Sequence, residues 1–144
     1  MKEDSLGKSD VKDVLQGKRI LLCEDSALNA EITCRLVEST GCFIDAAEDG
    51  QKGLEIFSNA PLYYYDAVLM DIKMPNMDGL EAARRIRALA REDAGSVPII
   101  AMTAYAFQED IRDTKAAGMN EHLVKPVNSA VLFETLADFI SKRR

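Results

Sequence analysis

From Lys18 onward, short continuous apolar runs alternate with segments in which apolar residues recur every three or four positions. Arg19-Ile20-Leu21-Leu22-Cys23 is apolar past its first residue, the pattern of a strand buried on both faces. Residues 27–39 carry Ala27, Ala30, Cys34 and Val37 on one helical stripe, with Leu28, Ile32 and Leu36 beside it. Gly41 then stands where a helix C-terminal cap belongs. Phe43-Ile44-Asp45-Ala46-Ala47 predicts a second strand, and Asp49 is placed to cap a helix running to Phe57, with Leu54 and Phe57 inward. Asp66-Ala67-Val68-Leu69-Met70-Asp71 is a third apolar run. Residues 79–91 follow as an Ala- and Arg-rich helix with Leu80, Ala83, Ile86 and Ala90 near one face. Pro98-Ile99-Ile100-Ala101-Met102 predicts a fourth strand with its proline first, where a missing N–H matters least. A weaker helix over 107–117 stops at Gly118, and Glu121-His122-Leu123-Val124 forms a fifth strand. Asn128 caps a last helix over 129–141 that turns Leu132, Leu136, Phe139 and Ile140 inward.

Five strands alternating with five helices imply an α/β domain, a doubly wound parallel sheet covered on both faces and joined by right-handed crossovers. Ligands of such sheets sit beyond the carboxyl ends of the strands, where strand order reverses. Residues 1–17 precede the alternation. They are polar apart from Met1, Leu6, Val11, Val14 and Leu15, and read as a linker or flexible tail with at most a turn of helix over 11–16. Residues 18–144 are the expected domain.

Composition adds bounds. At 144 residues and 47% hydrophobic, the chain suits one globular domain. Eighteen basic against twenty-four acidic side chains leave a net charge of −6, which argues against a broad nucleic-acid footprint. No apolar run approaches the roughly 18 residues a membrane span needs. The N-terminus is polar through Asp10, so no signal peptide is predicted. Cys23, Cys34 and Cys42 are odd in number and lack metal or redox spacing, as suits idle thiols in the reducing cytoplasm.

The chemistry lies at the strand ends. Glu24-Asp25 follow the first strand, Asp71 closes the third, Thr103 follows the fourth and Lys125-Pro126 the fifth. With the first and third strands adjacent, three carboxylates share one crevice. They repel, which raises at least one pKa unless a cation neutralises them. Hard oxygen ligands that leave room for water suit Mg²⁺. A carboxylate beside Mg²⁺ can attack a phosphoryl group and become an aspartyl phosphate, a transfer that needs positioning and charge neutralisation above all. Mg²⁺, the Lys125 ammonium and the Thr103 hydroxyl would each meet one phosphoryl oxygen. Asp45 and Asp66 read instead as solvated acids.

Met70-Asp71-Ile72-Lys73-Met74-Pro75-Asn76-Met77-Asp78-Gly79 resembles the phosphorylation loop of two-component response regulator receiver domains. With Glu24-Asp25, Thr103-Ala104 and Lys125-Pro126 in order, the likeness runs from about Lys18 to Lys142. Asp25-Ser26-Ala27-Leu28-Asn29 and Glu121-His122-Leu123-Val124-Lys125-Pro126-Val127 are most similar to receivers attached to hybrid histidine kinases. The resemblance implies a flavodoxin-like sheet of order 2-1-3-4-5 and Asp71 as phosphoacceptor. It implies Asp25, Asp71 and the backbone carbonyl of Lys73 as Mg²⁺ ligands, with Glu24 acting through water or at the margin of the metal shell. Thr103 and Lys125 would hold phosphoryl oxygens, and a cis Lys125–Pro126 bond would aim the ammonium at Asp71. The implied partner is a histidine kinase or histidine phosphotransfer domain, docked where Ala27, Leu28 and Ala30 flank the acid pocket. The implied activity is self-catalysed phosphorylation and dephosphorylation, not turnover of other substrates.

Three positions depart from or tune that pattern. His122 stands where many receivers carry a switching Tyr or Phe. It reads as a half-buried ring that turns with Thr103. Lys73 and Tyr105 occupy the positions that tune attack of water on the phosphoryl group. Neither is an acid or amide, so an aspartyl phosphate lasting minutes or longer is expected. Two other readings compete. A Mg²⁺-dependent aspartyl-phosphate phosphohydrolase resembling the haloacid dehalogenases would carry a second Asp where Lys73 stands. A non-phosphorylated pseudo-receiver would lack an acid or the lysine, and none is missing. Met70, Met74 and Met77 read as core packing and loop anchoring. Arg84, Arg85, Arg87 and Arg91 read as a solvated face, and Tyr63-Tyr64-Tyr65 as packing or a contact patch.

Overall fold

The computed structural model describes residues 8–104 and 108–143. Its elements run α1 (Lys8–Leu15), β1 (Arg19–Cys23), α2 (Ala27–Glu38), β2 (Phe43–Ala47), α3 (Gly50–Asn59), β3 (Ala67–Asp71), α4 (Gly79–Arg87), β4 (Ile99–Thr103), α5 (Gln108–Ala116), β5 (Glu121–Val124) and α6 (Ser129–Lys142). The strands pair in parallel in the order β2-β1-β3-β4-β5. This is the flavodoxin-like doubly wound sheet expected above. Among the described residues the helices number six rather than five.

Because side chains alternate across a strand, the central strands feed two separate cores. Leu21, Cys23, Val68, Met70, Ile99 and Ala101 pack with Phe57, Ala83 and Ile86 of α3 and α4. Ile20, Leu22, Leu69, Ile100 and Met102 pack with Val37 of α2 and Leu132, Leu136 and Ile140 of α6. Every residue of β3 and β4 is buried, as their unbroken apolar runs require. Oxygens of Ser26, Asp49, Asp78 and Asn128 accept from backbone N–H groups of the first turns of α2, α3, α4 and α6, satisfying donors those turns leave open.

The sixth helix comes from the polar lead. Val11 and Leu15, one helical turn apart, are buried against the α2–α6 core, and Leu15 is fully covered. A helix of eight residues has little stability alone; α1 stands because its apolar stripe caps that core. Lys8–Leu15 is thus a packed helix, longer than the single turn over 11–16 that the sequence suggests. On α2 only Val37 is buried, while Leu28 and Ile32 are 68% and 48% exposed. The basic stretch also splits. Arg84 and Arg85 are exposed and pair with Glu81. Arg87, by contrast, donates to the carbonyls of Ala94 and Gly118 and to Asn120. Arg91 pairs with buried Asp93 and caps the carbonyl end of α3 at Phe57 and Ser58. Tyr65 is core, stacked on Phe57, whereas Tyr63 is exposed. Asp45 is exposed, as expected, and accepts from the Tyr65 hydroxyl, whereas Asp66 is half-buried and accepts from the Arg19 N–H. Met70 and Met77 are buried and Met74 partly so, as core packing predicts.

Candidate functional site

The sheet reverses its order of succession at β1 and β3, which are hydrogen-bonded neighbours. The residues following β1 and closing β3 therefore meet at the carboxyl edge. One carboxylate oxygen each from Glu24, Asp25 and Asp71 lies within 4.8 Å of the others. Glu24 and Asp71 are buried, 3% and 6% exposed, so water screens their repulsion poorly; Asp25 is exposed and opens the cluster to solvent.

Lys125, just past β5, reaches into this cluster. Its Nζ lies 2.8 Å from Glu24 Oε1 and 3.3 Å from Asp71 Oδ1. The second Glu24 oxygen accepts from the Ser26 N–H at 3.2 Å. The Lys125–Pro126 peptide bond is cis, and the Lys125 N–H donates to the Thr103 carbonyl at 2.8 Å, tying the ends of β4 and β5. Burial, then the negative charge of Glu24, pushes the Asp71 carboxyl up to about 6, against the pull of Lys125. Burial also works against the Lys125 ammonium. Its hydrogen bond to Glu24 and the charges of both acids outweigh that and hold it above the ordinary lysine range.

Thr103 is buried at the end of β4. His122 is half-buried on β5 and shares a narrow cleft with Thr103, Ile72, Leu80, Asp113 and Thr114. Lys73 is exposed on the loop beyond Asp71. Tyr105 lies outside the described residues. Thus Glu24, Asp25, Asp71 and Lys125 are drawn together, Thr103 borders them through its backbone bond to Lys125, and His122 is set behind Thr103. Cys23, behind the site, is buried, and its thiol is pushed up to about 12 by that burial.

The loop from Asp71 to α4 is anchored at both ends. The Ile72 N–H donates to Met102 and the Ile72 carbonyl accepts from Gly79. At the far end the Gly50 N–H donates to the Met77 carbonyl at 3.1 Å, and Asn76 Nδ2 donates to Asp49 Oδ2 at 2.9 Å. The Asp49–Asn76 bond escaped the sequence reading, which assigned Asp49 only its helix cap. Beside Glu24 and Lys125 opens a groove of about 350 Å³ between α2 and α6, with Ile32, Leu36, Pro126 and Leu132 on its walls.

The donor set fits a hard divalent cation: carboxylate oxygens only, one acid exposed, and an Asp71 carboxyl that burial and the charge of Glu24 raise despite Lys125. Among solved structures, the chain is similar to the receiver domain of a sensor histidine kinase from Pseudomonas aeruginosa, described with a magnesium ion coordinated in its active-site cleft. That likeness has 37% identity and a TM-score of 0.79, covering 88% of this chain and 99% of that one. A chemotaxis protein of Vibrio cholerae is similar at 27% identity and a TM-score of 0.76, covering 83% and 96%. Among curated proteins, a hybrid signal transduction histidine kinase of Dictyostelium discoideum is 34% identical over 127 residues, which are 87% of this chain and 7% of that protein. The transcription factor SKN7 of Saccharomyces cerevisiae is 34% identical over 128 residues, 89% of this chain and 20% of that one. The chain thus spans a small part of these relatives' length. The family model for the response regulator receiver domain matches residues 20–137, a stretch holding every acid of the cluster, Thr103 and Lys125, and so this chain belongs to the response regulator receiver domains of two-component signalling.

Proposed function

We propose that Asp71 accepts a phosphoryl group from the phosphohistidine of a histidine kinase or histidine phosphotransfer domain, and that the resulting change at Thr103 alters the partner surface formed by β4, β5 and their helices. The observation that carries this reading is the meeting of Asp71 with Glu24, Asp25 and Lys125 at one buried edge. A carboxylate oxygen of Asp71 attacks phosphorus, the P–N bond breaks, and its electron pair leaves on the imidazole nitrogen. Glu24, Asp25, Asp71 and the Lys73 carbonyl would hold Mg²⁺, which when bound supplies positive charge to a phosphoryl oxygen. Lys125 exchanges its ion pair with Asp71 for a phosphoryl oxygen, and the Thr103 hydroxyl meets another. The exposed Leu28 and Ile32 beside the groove suit a partner that presents its histidine over the acid cluster.

In this reading residues 18–144 are the receiver unit, α1 is a helix added to it, and the parent protein is of the hybrid-kinase kind. The domain works in the cytoplasm, makes no direct contact with nucleic acid or membrane, and is a phosphoacceptor rather than an enzyme acting on other substrates. Among the described residues no helix is long and apolar enough to cross a membrane. The test is incubation with Mg²⁺ and acetyl phosphate, followed by intact mass. One phosphoryl group per chain, absent in Asp71→Asn, supports the reading. No adduct, or continuous phosphate release, overturns it.

A further inference from the structure

Asp49 is an acid outside the metal-binding cluster, yet it is 4% exposed and uses both carboxylate oxygens. Oδ1 accepts from the Lys52 N–H at 2.8 Å and caps α3. Oδ2 accepts from the Asn76 side-chain amide at 2.9 Å, across 27 residues of sequence. A carboxylate accepts only, so the Asn76 amide must present its nitrogen here. Asn76 has a φ of +66°, a left-handed conformation that asparagine tolerates better than most residues. The neighbouring Gly50 N–H bond to the Met77 carbonyl repeats the attachment through backbone. Gly50 must lack a side chain, because a Cβ there would collide with the Met77 carbonyl.

These bonds determine the path of the loop that leaves Asp71. Ile72 is held at one end by Met102 and Gly79, and Asn76 and Met77 are held at the other by Asp49 and Gly50. Only residues 73–75 span the gap. We propose that the Asp49–Asn76 hydrogen bond is a positioning clamp for the phosphoacceptor loop, holding the backbone at Lys73 in one path beside Asp71. The proposal rests on the reading of Asp71 as phosphoacceptor and of the Lys73 carbonyl as a ligand. Asp49 touches neither metal nor phosphoryl group; it acts through Asn76. A reacting constellation tolerates little misplacement, so slack at the far end of a short loop reaches the chemistry.

Polarity makes the clamp testable by exchange. Asn76→Asp sets two carboxylates against each other without demanding a new backbone shape, and breaks the clamp by repulsion. Adding Asp49→Asn restores a donor facing an acceptor with polarity reversed, keeps an oxygen to cap α3, and returns the net charge to that of the parent. Asn76→Gly fits the left-handed φ and deletes the amide without adding charge, and Asp49→Asn cannot rescue it.

The measurements are Mg²⁺ half-saturation followed by backbone amide shifts, amide hydrogen exchange at residues 72–77 without Mg²⁺, melting temperature, and the rate of phosphorylation by acetyl phosphate. Asn76→Asp and Asn76→Gly are expected to raise the Mg²⁺ half-saturation concentration about tenfold, in the range seen for outer-shell partners of metal sites, and to speed exchange across the loop. The double exchange is expected to recover most of both effects. The clamp is overturned if the single variants lower melting temperature alone, with Mg²⁺ binding and loop exchange unmoved. It is also overturned if Asp49→Asn fails to rescue Asn76→Asp, since the added charge would then be the cause. A wild-type chain that takes no phosphoryl group on Asp71 overturns the phosphoacceptor reading, and the clamp's role with it. A phosphorylated wild type with an unresponsive exchange cycle overturns the clamp alone.

Discussion

Lys125 and Glu24, 101 positions apart in sequence, form a 2.8 Å ion pair whose acid side chain is only 1% exposed. Lys125 also lies 3.3 Å from Asp71. The same ammonium thus neutralises the buried acid and stands ready at the proposed phosphoacceptor.

Removing that ammonium leaves a buried carboxylate without its partner. Lys125→Met is expected to destabilise the fold by about 3–5 kcal/mol and to abolish phosphorylation. The exposed Arg35–Glu31 pair provides the contrast, since breaking it with Glu31→Gln should cost under about 1 kcal/mol. Denaturant melts of both variants check the difference.

Asp71 is strained electrostatically in the metal-free fold. Its carboxyl is raised from 3.8 to about 6 by burial and by Glu24. The folded state therefore binds the proton more tightly than the unfolded chain. That contribution is fully present below pH 3.8 and is lost as pH rises through about 6. Asp71→Asn is expected to raise neutral-pH stability without Mg²⁺ by on the order of 1–2 kcal/mol, with the gain vanishing near pH 4. Melting temperatures across that range measure it.

Magnesium should relieve the same repulsion. At about 100 times its dissociation constant it is expected to stabilise the wild type by about 2.7 kcal/mol. The effect should weaken below pH 6, where protons compete for Asp71. Removing the ion with a chelator should reverse it. An equal Mg²⁺ effect in Asp71→Asn would count against the cluster as the binding site.

The packed lead gives a test remote from the chemistry. Leu15→Ala empties a fully buried position and should cost about 2–5 kcal/mol. Deleting residues 1–16 should destabilise the domain as well. A deletion that leaves the denaturation midpoint unchanged would show α1 to be dispensable.

Phosphoryl lifetime tests the reading of the loop positions. If Lys73 and Tyr105 tune the attack of water as proposed, the aspartyl phosphate is expected to persist for minutes or longer in Mg²⁺ after donor removal. Decay within a few seconds would refute that reading.

Much of this protein is written locally. The runs at residues 20–23 and 67–70 specify buried parallel strands because no residue in them tolerates water well. Ser26, Asp49, Asp78 and Asn128 mark helix starts because a short oxygen-bearing side chain answers N–H groups a few residues away. Once the strands are located, the acids, hydroxyl and amine at their ends follow. What the chain left undecided was which neighbour each ambiguous segment would meet. α1 exists because the α2–α6 core has room for Val11 and Leu15. Leu28 and Ile32 face out because α2 buries Val37 instead. Arg87 and Arg91 turn inward because Gly118, Asn120 and the end of α3 offer carbonyl oxygens there. Asp49 finds Asn76 only when β2 and β3 flank β1 and bring the loops beyond them together. Periodicity and capping act over one or two turns of chain and can be read in order. Pairing across 27 or 101 positions depends on topology, which exists only in the folded sheet.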